Sequence, residues 1–311
     1  MASSVNDITS SETESPLTWF ITGCSSGFGL QLARHALAAG HRVIATSRDP
    51  SKTPALVSEI EGAKPAGRGR WLQLDTSAAD CGALIGRLET GQEEVEDGPH
   101  PPTAVDVLVN SAGFAITGPV EGFADQEVRD VMETNFFGPY RLMRAALPHM
   151  RRRRRGVIVN LSSGSGLEAR HALGVYGASK AALDGISKTL AKEVAEFGIR
   201  VLQVYMGSFD TPMGHSTKLV EQPLDPDYEN SMVGKTLGVF QSGQFQALGD
   251  HKKAVRAIYD VVVGERAGAG LGKEVQMMLG KECAVRAIEV RDGLNHMMET
   301  FGDVCNSVGL D

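Results

Sequence analysis

The sequence predicts an α/β fold built on a doubly wound parallel sheet, and three observations carry that expectation. Short apolar runs alternate with amphipathic helical stretches along most of the chain. A glycine-rich turn separates the first run from the first helical stretch. The 311 residues, 42% hydrophobic and 22% charged, suit one decorated domain with a sizeable core.

The elements follow in order. LTWFIT (17–22) is the first strand, and the helical LQLARHALAAG after it stops at Gly40. RVIATS (42–47) is the second strand. Thr53 followed by Pro54 marks a helix start, because proline suits the first helical position. WLQL (71–74) and DVLVN (106–110) are the third and fourth strands, separated by the polar, Pro-rich loop ETGQEEVEDGPHPPT. VIVNLS (157–162), a helix from Val175 to Phe197 and IRVLQVYM (199–206) come next. From 210 to 249 periodicity fades, as in a lid or binding loop. DHKKAVRAIYDVVV restores helical spacing, EVQMML is a late strand, and a helix from Lys281 to Phe301 closes the chain. Residues 1–16, polar and weakly acidic, are expected to be a disordered tail. The domain spans 17–300, and 301–311 read as a second tail.

Charge and cysteine usage exclude several classes of function. A net charge of −7 argues against a nucleic-acid partner. The basic run Arg151–Arg155 reads as the solvated end of a helix before a buried strand. Cys24, Cys81, Cys283 and Cys305 lack the paired spacing of a metal or redox site, so no metal and a reduced, cytoplasmic compartment are expected. The N-terminal residues lack the apolar segment of a secretory signal. No apolar stretch approaches the ~20 residues of a membrane-spanning helix, so no membrane partner is expected either.

Two constellations carry chemistry. TGCSSGFG makes Gly23, Ser25, Ser26, Gly27, Phe28 and Gly29 candidate contacts for an anionic pyrophosphate. The glycines permit close backbone approach, and a helix N-terminus favours negative charge. Any tight strand-to-helix turn also wants glycine, and the G-x-x-x-G-x-G spacing differs from G-x-G-x-x-G. After the second strand stand Ser47 and Arg48, where a carboxylate would grip the ribose hydroxyl of NAD, so NADP(H) is the expected cofactor. The alternative for Arg48 is a solvent-facing side chain neutralised by Asp49. Tyr176 and Lys180, four apart on one helix face, form the second constellation: the ammonium is expected to lower the phenol pKa towards working pH. Taken alone, that spacing is also ordinary helix decoration. Ser163 ends a strand 13 residues earlier, at the edge where open α/β sheets bind ligands, and can donate to a substrate oxygen.

Together TGCSSGFG, LVNSAG (108–113), Asn135 in TNFFG, NLSS and YGASKAAL resemble the short-chain dehydrogenase/reductase family, in its NADP-preferring form, over about residues 17–213. The resemblance implies a Rossmann-like domain with Tyr176 as acid/base and Ser163 polarising a carbonyl. It implies that Lys180 tunes Tyr176 and holds the nicotinamide ribose, while Asn135 positions a relay water. It also implies Asp75 at the adenine, where an ordinary turn aspartate is the alternative. Asn110, Ala112 and Gly113 would form a cofactor wall, with Gly207 and Thr211 beside the nicotinamide. Ser111 in place of the usual second asparagine, and Met206 in place of the usual proline, depart from the pattern. The expected reaction is NADPH-dependent reduction of a ketone, reversible as alcohol oxidation. Rival readings are a biosynthetic enzyme that also steers a non-redox step such as cyclisation, and a non-catalytic NADP-binding sensor or scaffold. Phe209, Met213, Met232, Val233, Leu237 and Phe240 suggest a hydrophobic small-molecule substrate, or else the core of a lid helix. The lack of a conspicuous basic cluster argues against a heavily anionic one. The resemblance further implies a homo-oligomer packed through the Tyr176 helix and the long helix before it.

Overall fold

The apolar runs become strands because each is too short for a stable helix, and the inner ones, within 18–21, 107–110, 156–163 and 199–206, are buried almost throughout on both faces. The computed structural model describes residues 15–92, 101–215, 217–243 and 246–309. Its first half runs β1 (Thr18–Ile21), α1 (Gly27–Ala38), β2 (Arg42–Ser47), α2 (Pro54–Glu61), β3 (Gly69–Gln73), α3 (Ala83–Thr90), β4 (Val107–Asn110) and a short β5 (Ile116–Thr117). Helix α4 (Asp125–Met132) passes through a π turn (Glu133–Phe137) into α5 (Gly138–Arg153). Then come β6 (Gly156–Ser163), α6 (Gly164–Leu167), α7 (Gly174–Val194) and β7 (Ile199–Met206). The remainder is α8 (Pro212–His215), β8 (Lys218–Leu219), α9 (Met232–Gln241), α10 (His251–Val263), β9 (Gln276–Leu279) and α11 (Lys281–Asn306).

Seven strands form one parallel sheet in the order β3-β2-β1-β4-β6-β7-β9, and β5 pairs with β8 in a separate ribbon. The chain winds outward from β1 to β3, then restarts at β4 on the other side of β1. That reversal opens a crevice at the carboxyl ends of β1 and β4. Alternation along each strand divides the core into two layers. Trp19 and Ile21 pack under α1 and α10 on one face, whereas Phe20 and Leu108 pack under α3, α5 and α7 on the other.

Four expectations change. The closing helix does not stop near Phe301: it runs to Asn306, because no helix-breaking residue follows Phe301 and Gly302 is tolerated in the last turns. The segment 210–249 is not without order, since Ser231 caps α9 by accepting from Val233 N and Gly234 N. The arginine run does end α5, but it is not simply solvated. Arg153 donates twice to the buried Glu89 carboxylate (2.9 and 3.0 Å) and also to Val105 O, and Arg155 pairs with Asp106 at 2.8 Å. Glu89 and Thr90, expected in a loop, belong to α3. Residues 93–100 of that loop and 1–14 of the expected N-terminal tail lie outside the described residues. Among the described residues no helix is long and apolar enough to cross a membrane, and no cluster of side chains suits a metal ion.

Glu89 also accepts from Val105 N at 2.8 Å, so it ties α3, β4 and the end of α5 together. Its removal leaves the Arg153 charge partly buried and uncompensated. Glu89→Ala is expected to lower unfolding stability in urea by ~2–4 kcal/mol. Loss of the exposed Arg34–Glu59 pair by Glu59→Ala should cost under ~1 kcal/mol. Equal effects would refute the distinction.

Candidate active site

The site begins with one hydroxyl. Thr22, directly after β1, accepts from Ser111 N and Ala112 N at 3.0 Å each through Oγ1, while its own N–H bonds Val109 O. The turn after β1 is thereby fastened to the turn after β4. Gly23 has φ +71°, and a Cβ there would stand 2.8 Å from Ala112 Cα, so only glycine admits this approach. Gly29 serves packing: a Cβ would lie 2.5 Å from Gly23 O. Ser26 makes no capping bond, which leaves the first N–H groups of α1 open at the crevice.

A cavity of about 530 Å³ runs along this edge. Its lining includes Gly23, Ser25, Ser26, Gly27, Phe28, Ser47, Arg48, Asp75, Ala112, Gly113, Ser163, Tyr176, Lys180, Gly207 and Thr211. Three expected residues do not line it: Gly29, Asn110 and Asn135 are buried behind it. Asn110 donates to Asn160 Oδ1 at 2.7 Å, and Asn160 passes the chain on to Ser187, a buried amide ladder joining β4, β6 and α7. Asn135 accepts from Phe114 N and donates to Phe114 O and to Ser179 Oγ. Its side chain therefore braces the loop after β4.

At the far end of β2, Trp71 Nε1 donates to the buried Ser47 hydroxyl. Asp49 is engaged by Ser51 and Lys52, the latter at 3.4 Å, so the proposed neutralisation of Arg48 is not what this carboxylate does. Asp75 accepts from Ser77 N and Oγ, the turn role, while still facing the cavity.

The end of the cavity formed by Tyr176 and Lys180 is buried. Ser163 closes β6, accepts from Ser165 N at 3.1 Å and shares a hydrogen bond with the Tyr176 phenol. Lys180 donates to Leu161 O at 2.9 Å, with Nζ 5.9 Å from the Tyr176 ring centre. The expected lowering of the phenol pKa is absent from this state. Burial pushes Tyr176 up, the Ser163 hydrogen bond opposes it, and the Asp184 charge adds to the rise. Lys180 is itself pulled down to about 8 by burial, with Asp184 opposing.

Asp184 escaped the sequence reading. It sits one turn beyond Lys180 on α7, buried, accepting from Gln203 Nε2 of β7. Burial raises its carboxyl to about 6, against the Ser162 hydroxyl and the Lys180 charge. The available signal was the i, i+4 spacing from Lys180.

The expected lid contributes in part. Phe209, edge-on to Phe28 at 5.3 Å, lines the cavity with Met213 and Phe240; Met232, Val233 and Leu237 do not reach it. Arg170 and Arg286 also line the wall, so the fold assembles basic groups that are scattered in sequence.

The family profile for short chain dehydrogenases matches residues 18–222, which hold this cradle, Ser163, Tyr176 and Lys180. The chain belongs to the short chain dehydrogenase family. Oxidoreductase claN of Passalora fulva is 43% identical over 195 residues, covering 62% of this chain and 83% of that protein. Retinol dehydrogenase 8 of Bos taurus is 38% identical over 215 residues, covering 67% of this chain and 64% of that protein. A short-chain dehydrogenase structure from Streptomyces avermitilis superposes with TM-score 0.80 at 32% identity, over 95% of this chain and 100% of its own. A metagenomic short-chain oxidoreductase solved with NADP gives TM-score 0.54 at 30% identity, over 66% of this chain and 85% of its own. The family is one of oxidoreductases with this Rossmann-like sheet.

Because Asp184 holds the Lys180 proton on against burial, removing its charge has a definite sign. Asp184→Asn is expected to move the Lys180 pKa below about 8, followed by side-chain NMR titration. An unchanged or higher value would remove Asp184 from the account.

Proposed function

We propose that this chain is an NADPH-dependent carbonyl reductase, reversible as an alcohol dehydrogenase, acting on a hydrophobic ketone or alcohol. The observation that carries this reading is a single cavity containing both the glycine cradle and the Tyr176 phenol. A pyrophosphate needs backbone N–H groups within close reach, and Gly23 and Gly27, at φ +71° and +56°, leave the backbone open at those two positions. Arg48, with Ser47 rather than a carboxylate beside it, suits a ribose 2′-phosphate. The NADP complex of the 30%-identical metagenomic relative supports the same choice.

In this reading Ser25, Ser26, Phe28 and the N-terminus of α1 hold the pyrophosphate. Asp75 meets the adenine, and Ala112 and Gly113 form the wall that Asn110 and Asn135 brace from behind. Gly207 and Thr211 border the nicotinamide, and Lys180 grips its ribose. NADPH, when bound, supplies hydride to the carbonyl carbon. Ser163 donates to the carbonyl oxygen, where negative charge develops, and Tyr176 delivers its phenolic proton there. A phenol kept protonated by burial is the form a reductase needs. The positive charge of Lys180 favours the phenolate left behind. The Ser163–Tyr176–Lys180 set favours an enzyme over a pure binder, which has no use for a buried phenol joined to a serine.

Tyr176→Phe is expected to lower kcat for carbonyl reduction by ~10²–10⁴-fold. NADPH affinity, read by fluorescence titration, should change by less than about threefold, within ~0.7 kcal/mol. Undiminished turnover would refute the mechanism. Arg48→Ala should reduce the preference for NADPH over NADH by ~10–100-fold, the loss of a charge-assisted phosphate contact. An unaltered ratio of the two dissociation constants would refute the cofactor assignment.

A further inference from the structure

We infer that α11 is a dimerisation helix, and that two copies of this chain pair their α11 helices antiparallel along a heptad seam. Only the root of α11 is docked on its own domain. Cys283 and Arg286 are buried there, with Arg286 facing Glu168 at 3.5 Å across the turn that holds α6. From Arg291 onward the helix leaves the body and nearly every residue is exposed.

In the free part of the helix the apolar residues lie on one side, with Met298 flanking them, while Val285 and Ile288 at the root point elsewhere. Ala287, Val290, Leu294, Met297, Phe301, Val304 and Val308 follow one another in steps of three and four in strict alternation. That 3.5-residue period is the signature of a helix seated against another helix, rather than against a sheet or its own domain. Leu294, Met297, Phe301 and Val304 are each 49% to 62% exposed, an apolar row that water covers in the isolated chain. The opposite side carries Asp292, Asn295, His296, Glu299, Asp303 and Asn306. Between Arg291 and Asn306 one arginine stands against three carboxylates, the wrong balance for a helix lying on an anionic lipid surface.

A second copy is the occupant that fits. With Leu294 opposite Val304 of the partner subunit, the paired stretch of α11 runs from Asp292 to Asn306, ~22 Å at 1.5 Å per residue. Two such seams bury on the order of 1,200 Å² in total, the lower end of what a specific interface requires. Paired helix axes lie ~8–10 Å apart, so a parallel pair would force both domains into the same space at the helix roots. The antiparallel pair carries them to opposite ends, with Leu294 facing Val304 of the partner subunit and Met297 facing Phe301 of the partner subunit. This contact is separate from the α5 and α7 faces that the family resemblance implies, and it does not rest on the proposed reaction.

The test is the mass of the full chain between 1 and 100 µM by sedimentation velocity and light scattering, for wild type, Leu294→Asp/Phe301→Asp and Asn295→Asp. The expected result is that the double variant has half the mass of wild type, with unchanged thermal unfolding of the domain and unchanged NADPH binding. Asn295→Asp, on the polar side, should retain the wild-type mass. In a Cys305→Ser background, Leu294→Cys with Val304→Cys should cross-link on mild oxidation while Leu294→Cys alone does not. A mass unaltered by the two aspartates would overturn the seam. Cross-linking of Leu294→Cys alone would overturn the antiparallel arrangement. Wild type of the same mass as the variant, yet pelleting with phosphatidylcholine/phosphatidylserine vesicles, would assign the row to a membrane and overturn the dimer.

Discussion

Parallel pairing of β1, β4, β6 and β7 is the constraint from which the site follows. Every strand in a parallel sheet points the same way, so the segments leaving their carboxyl ends must emerge along one edge. The glycine turn, the LVNSAG wall, Ser163 and Met206–Gly207 are four such segments. Register then sets their relative depth: Asn110 lies opposite Asn160, and Ser163 opposite Met206. A one-residue slip would turn each of these side chains to the other face of the sheet. The buried amide ladder through Asn110, Asn160 and Ser187, and the Thr22 bridge between two turns, resist such a slip with directional bonds.

The electrostatics around Tyr176 come from burial more than from pairing. Tyr176, Lys180 and Asp184 are all pushed towards their neutral forms by desolvation; the mutual attraction of Lys180 and Asp184 opposes this for those two, whereas the Asp184 charge adds to it at Tyr176. Sequence spacing suggested the opposite for Tyr176, since Tyr-x-x-x-Lys places a cation near a phenol but says nothing about solvent. In the folded chain the ammonium is spent on Leu161 O, and the phenol is bonded to Ser163 instead. A phenol kept neutral by burial suits the proton-donor role proposed for Tyr176.

What the sequence made legible was whatever lies at a strand end or repeats along a helix. The glycine cradle, Ser163 and the Tyr176–Lys180 pair could be named because strand, turn and helix follow one another there. Thr22, Asn160 and Asp184 could not, since their partners Ser111, Asn110 and Gln203 belong to other elements and meet only through the sheet. Arg170 and Arg286 reached the cavity wall for the same reason. The arginine run showed a helix end but hid Glu89, which lies in α3 and decides how two of its members behave. The order within 210–249 depends on a Ser231 cap too local to lift the fading periodicity.

The proposed reaction requires the phenol and the cofactor to share one cavity. Its most direct test is the Tyr176 titration itself, taken as the difference in phenolate absorbance between wild type and Tyr176→Phe, with and without saturating NADP⁺. A positively charged nicotinamide seated beside Tyr176 must lower the phenol pKa from its raised value in the free chain. A pKa that does not move while NADP⁺ binds would place cofactor and phenol apart, and contradict the account.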